Sequence, residues 1–171
     1  NSVKEDMVEF LQFDPEKIDV IYGAADERYC KLDVPVEVKS ELFRKYGIDG
    51  SFMICIGGDD ERKNLEGLIL AYAKMPAELI DQFQLVIVCK LCDLSYQRYT
   101  ELILEKQVSG RVVLTNYVPD RELILLNNLA HLLVFPSKYE GFGLPVVEAW
   151  ACGTPVLTST NSSFGEIARE A

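Results

Sequence analysis

The run Phe135-Pro136-Ser137-Lys138-Tyr139-Glu140-Gly141-Phe142-Gly143-Leu144-Pro145-Val146-Val147-Glu148 holds the residue types and spacing best suited to chemistry. Its two carboxylates have seven residues between them, with glycines in the intervening loop. Glycine allows close approach of the backbone to a ligand. A helix beginning near Leu144, with Pro145 in its first turn, offers unpaired N–H groups and a partial positive charge. A carboxylate accepts hydrogen bonds from vicinal hydroxyls, one on each oxygen. One such group near each end of a diphosphate ligand would hold a sugar and a ribose. A glutamate near a helix start can equally serve only as a partner of the helix dipole, and spacing leaves both readings open.

These residues need a frame, and the hydropathy pattern supplies one. Short apolar runs at 18–22, 51–56, 84–89, 111–114, 132–135 and 155–158 read as strands. Longer stretches at 38–46, 64–74, 95–108, 120–129 and 144–151 read as helices, and another starts near Ser163. Gly47 and Gly153 stand where helices end. Strands that are apolar throughout are buried on both faces, with helices as the crossovers. The expected fold is therefore α/β, a Rossmann-like, doubly wound parallel sheet. Ligands of such sheets bind beyond the carboxyl ends of the strands. The segments to search are 57–64, 89–95, 116–122, 136–144 and 159–163.

The 171 residues suffice for one domain with its own core. No run approaches the roughly 18 apolar residues of a membrane span, and residues 1–5 open no signal peptide. Since the first residue is not Met, the chain is expected to be a piece of something longer. The net charge of −10 argues against nucleic acid or anionic lipid as partners, and it also opposes a phosphorylated ligand. A nucleotide site here needs local cations. Arg62 and Lys63, in Gly57-Gly58-Asp59-Asp60-Glu61-Arg62-Lys63-Asn64, can provide them, one by chelation and one as a point charge. The same pair can be a solvated cap on an acidic turn. Five cysteines, an odd number, fit reduced, buried thiols of a cytoplasmic protein better than a disulfide framework.

The stretch 135–158, with Glu140-Gly-Phe-Gly-Leu-Pro, Glu148-Ala and Ala151-Cys-Gly-Thr-Pro-Val, closely resembles the signature of retaining group 1 glycosyltransferases of the GT-B fold, the family 4-like type. The resemblance implies that Glu140 is the catalytic-site carboxylate near the transferred sugar and that Glu148 binds the ribose hydroxyls. It also implies that the amides of Phe142, Gly143 and Leu144 meet sugar and phosphate. The loop 57–64 resembles the family's glycine-rich loop, with Lys63, and Arg62 beside it, gripping the donor diphosphate. Gly58 departs from the pattern, since many members carry arginine there. Asn116 to Glu122 resembles the segment framing the base, with Val118 as the base contact. Lys17 to Asp26 resembles the entry to the second domain.

Nearly the whole chain is covered, most specifically at 135–158. Residues 1–17 are then the end of an interdomain connection. Residues 18–171 are then a nucleotide-sugar-binding domain, the C-terminal lobe of a GT-B fold, incomplete at its C-terminus and without its N-terminal acceptor domain. The resemblance implies a hexosyltransferase of polysaccharide biosynthesis. It would use a nucleoside diphosphate sugar with retention, no metal and no cofactor, in the cytoplasm or at the inner face of the membrane. The chain by itself is expected to bind donor weakly and transfer nothing. Other GT-B enzymes, such as a nucleotide-sugar epimerase or a phosphorylase-like protein, fit the Glu140-to-Pro145 run less well. A non-catalytic module of the same fold would be signalled by loss of either glutamate or of Lys63, and all three are present.

Cys89-Lys90-Leu91-Cys92 has metal-site spacing but lacks a second ligand pair, and reads as a strand-end pair. His131 and Trp150 read as structural.

Overall fold

The computed structural model describes residues 2–167. Its elements run α1 (Ser2–Leu11), α2 (Val36–Tyr46), β1 (Ser51–Ile56), α3 (Leu65–Tyr72), α4 (Ala77–Gln82), β2 (Phe83–Val88), α5 (Asp93–Glu105), β3 (Val112–Leu114), α6 (Asp120–Leu129), β4 (Leu132–Phe135), α7 (Leu144–Ala151), β5 (Val156–Thr158) and α8 (Phe164–Ile167). The strands form one parallel sheet in the order β3-β2-β1-β4-β5. The doubly wound expectation holds.

The alternation of each strand divides the core into two layers. Cys55, Leu85 and Ile87 face Leu65, Leu68, Ile69 and Tyr72 of α3 and Tyr99 and Ile103 of α5. Phe52, Ile54, Val86, Leu133 and Phe135 face the other side, against Leu126 of α6 and Val146 and Ala149 of α7. Phe52, Ile54, Leu85 and Leu133 are fully buried, each contributing about 1.5–3 kcal/mol by leaving water. Leu65, Leu68, Ile69 and Tyr72, which helical spacing puts on one face of α3, are thus all core. The turn glycine after α2, Gly47, takes φ +69° and closes that helix.

One expected strand does not form. Residues 18–22 join no strand ladder; the sheet's edges are β3 and β5. A strand needs a ladder partner for its N–H and C=O groups, and apolarity supplies none. Ile21 is 92% exposed. All five thiols are free; Cys55, Cys89 and Cys152 are buried, and Cys30 and Cys92 are exposed. No helix of the described residues is long and apolar enough to cross a membrane.

The chain leaves β1 toward β2 and β3, then returns across the sheet to β4 and β5. β1 and β4 are neighbours, with Met53 beside Leu132 and Ile54 beside Leu133. Their connections leave on opposite faces, so a crevice opens at their carboxyl ends.

Candidate functional site

The loops after β1 and after β4 meet at that crevice. Both glycine-bearing motifs of the sequence lie in them. Lys138 N–H donates to the Arg62 carbonyl at 2.7 Å, and Asn64 Nδ2 donates to the Pro136 carbonyl at 3.4 Å. These bonds join two loops about 75 residues apart in sequence. Lys63 ends a 3-10 turn, Glu61–Lys63, that opens at Asp60, whose carboxylate accepts from the Arg62 amide.

Lys63 and Glu140 form an ion pair at the centre of this junction. Lys63 Nζ lies 2.5 Å from Glu140 Oε1, and their side chains are only 19% and 13% exposed. The ammonium also stands over the Phe135 ring at 5.2 Å. The backbone around Glu140 is clamped from β5's loop. Its N–H donates to Ser162 Oγ at 3.0 Å, and Ser163 Oγ donates to the carbonyls of Glu140 and Phe142, each at 3.0 Å. Arg62 is placed differently. It is exposed and its guanidinium is held by Asp60, with Nη2 to Oδ2 at 2.9 Å.

Past Glu140 the loop turns at Gly143, with φ +97°, into α7. A Cβ at Gly143 would lie 2.6 Å from Phe164 Cε1, so glycine is required by conformation and by space. Pro145 occupies the first turn of α7, where no intrahelical donor is lost. Among the described residues no protein acceptor receives the amides of Phe142, Gly143 and Leu144. These donors sit at the positive end of α7. The Phe142 ring packs at 6.4 Å from Tyr22.

Glu148 lies one turn further along α7, in another environment. Burial holds its carboxyl above the ordinary range, and Asp120 and Asp26 raise it further. Burial pushes the nearby Tyr29 phenol up to about 12, with Glu148 adding to the effect. The two glutamates therefore do not share neighbours: one sits in a basic junction, the other beside acids.

Val118, the expected base contact, is buried in the second core layer and 4% exposed. A side chain at Gly58 would meet nothing within 4 Å, so the position where arginine was anticipated is open. His131 packs its ring 4.7 Å from Phe83, and its backbone N–H donates to the Phe52 carbonyl at 2.9 Å. Trp150 packs against the second core layer. Burial pushes the Cys89 thiol up to about 11, so it stays protonated, and no three metal-binding side chains converge among the described residues. The clamps Ser162 and Ser163, and the acids Asp26 and Asp120 beside Glu148, were not nominated from sequence. Only the small polar run after β5 hinted at the serines.

A parallel sheet wound both ways from β1 and β4, with its loops joined at the switch, is the C-terminal, Rossmann-like lobe of the GT-B fold. The chain belongs to the glycosyltransferases of group 1, whose family model, Glycosyl transferases group 1, matches residues 38–171. It is similar to the serotype-specific mannosyltransferase WbdA of Escherichia coli, 32% identical over 167 residues, which are 97% of this chain and 20% of WbdA. Among solved structures it resembles WaaG, a glycosyltransferase involved in lipopolysaccharide biosynthesis. The TM-score is 0.80 at 22% identity, over 96% of this chain and 44% of that one. It also resembles Anabaena Alr3699/HepE in complex with UDP and glucose, with TM-score 0.77 at 22% identity, over 92% of this chain and 43% of that one. The chain thus spans a fifth of WbdA and less than half of either structure.

Proposed function

We propose that this chain is the donor-binding part of a retaining hexosyltransferase. It binds a nucleoside diphosphate sugar across the crevice between β1 and β4. Together with an acceptor-binding lobe, it transfers the sugar to an acceptor hydroxyl. The observation that carries this reading is the Lys63–Glu140 pair, which brings a cation and a carboxylate from two separate loops to the topological switch. The unspent amides of residues 142–144 lie on the same loop as Glu140.

Glu140 faces the sugar, Glu148 the ribose, and Lys63 the diphosphate, with Arg62 joining on release from Asp60. The segment around Val118 borders the base. Charge developing on the leaving diphosphate is met by Lys63, the loop amides and the start of α7, without a metal or cofactor. No side chain of this chain acts as general base. HepE, of the same fold, holds UDP and glucose, and WbdA is named a mannosyltransferase, so mannose is the first sugar to try. The setting is polysaccharide assembly, in the cytoplasm or at the inner face of the membrane. The chain by itself binds donor weakly and transfers nothing.

A thermal-shift panel of UDP-, GDP- and ADP-linked mannose and glucose tests the reading. At a hundredfold excess over Kd the matching donor adds about 2.7 kcal/mol, a rise of several degrees, and Glu148→Ala removes it. If no nucleotide sugar raises the melting temperature, the reading fails.

A further inference from the structure

Both cations of the donor loop are already neutralised. Arg62 is bound by Asp60, and Lys63 by Glu140. The Arg62 pair is exposed and exchanges readily with solvent. The Lys63 pair is different: largely buried, short, and built from two loops 77 residues apart. A buried ammonium without a counter-ion is strongly disfavoured, so Lys63 needs an anion beside it whether or not donor is bound. Glu140 provides it.

We infer that the Glu140 carboxylate is a stand-in for the donor diphosphate on Lys63, exchanged for phosphate oxygens when donor binds. This inference rests on the donor-site reading above. Three features make such an exchange feasible. First, the Glu140 backbone is fixed on both sides by Ser162 and Ser163, so only side-chain torsions need change. Second, the Lys63 stem lies against Gly57, where a Cβ would come within 3.6 Å of Lys63 Cγ, and its ammonium rests over Phe135. The cation therefore stays positioned when its partner leaves. Third, the amides of residues 142–144, on the loop that bears Glu140, have no protein acceptor among the described residues and can take phosphate or sugar oxygens.

The exchange gives Glu140 two successive partners. Without donor it keeps Lys63 compensated and the two loops together. In the loaded site the same carboxylate is released toward sugar hydroxyls, which it can accept only after the diphosphate has taken Lys63. Sugar contact is thereby made conditional on correct seating of the diphosphate.

A carboxylate that competes with the ligand leaves a signature opposite to that of a binding residue. Isothermal titration with UDP, GDP and ADP, which carry no sugar, should show Glu140→Gln binding the preferred nucleoside diphosphate about tenfold more tightly than wild type, the worth of one charge-assisted contact. The gain should shrink with the matching nucleotide sugar, where Glu140 is also a contact. It should vanish in Lys63→Met/Glu140→Gln, because there is no cation to release. Glu140→Asp, which keeps the charge but shortens the reach, gives an intermediate gain and serves if the glutamine variant folds poorly. If wild type binds a nucleoside diphosphate and neither variant binds it more tightly, the stand-in role is wrong while the donor site survives. If wild type and variants bind no nucleoside diphosphate or nucleotide sugar, the donor site itself is wrong, and the stand-in role with it.

Discussion

Glu140 and Glu148 look equivalent in sequence, and their surroundings make them different groups. Glu140 is held by a cation from another loop. Glu148 is buried near Asp120 and Asp26, and its carboxyl is raised above the ordinary carboxylate range, first by burial and then by those acids. Ribose hydroxyls donate best to the ionised form, which offers acceptors on both oxygens. Donor affinity should therefore fall as pH drops through the raised value of Glu148, before ordinary carboxylates protonate. Titration calorimetry between about pH 8 and about pH 5 should show this fall in wild type and a flat profile in Glu148→Gln. A wild-type profile as flat as the variant's would count against the ribose role. The residue types and the seven residues between them were legible in the sequence. The environment was not, because Asp26 and Asp120 reach Glu148 only through folding.

At the scale of elements, legibility followed end signals. α6, α7 and β4 have the bounds read from sequence, since Pro119, Gly143 with Pro145, and the apolar run 132–135 mark them. Residues 18–22 read as a strand although apolar composition says nothing about a pairing partner. α1 lies in the stretch that reads as connection, and α4 is a six-residue helix between Pro76 and β2 whose pattern is too short to show period. α2 and α6 show how helices that flank the site are tied. Lys45 Nζ donates to both Glu122 oxygens at 2.7 Å, and the Tyr46 hydroxyl donates to the same carboxylate. The Lys45 bond and then the Tyr46 bond hold the Glu122 carboxyl below its ordinary value. A depressed carboxyl stabilises the fold above its unfolded value, and that contribution is lost as pH falls through the folded one. Urea unfolding should find Glu122→Gln less stable by about 1 kcal/mol at neutral pH, given the partial exposure of the pair. The difference should disappear in acid; one that persisted there would assign the effect to packing.

At the scale of the molecule, the site is a consequence of strand order. Sequence motifs at 57–64 and 136–148 become one site because β1 and β4 are adjacent at the switch. The parallel α/β class was legible from buried strand runs, whereas the order β3-β2-β1-β4-β5 needed the fold itself. The −10 field makes local compensation necessary, and the molecule concentrates it where the loops meet. The central claim is that donor lies at this junction. Amide chemical shifts mapped during titration with the nucleotide sugar that stabilises the protein most would test it directly. The account predicts the largest changes at 57–63, 116–122 and 140–148, on the carboxyl side of β1, β3 and β4. Changes confined to α1, α4 or the amino-terminal side of the sheet would contradict it.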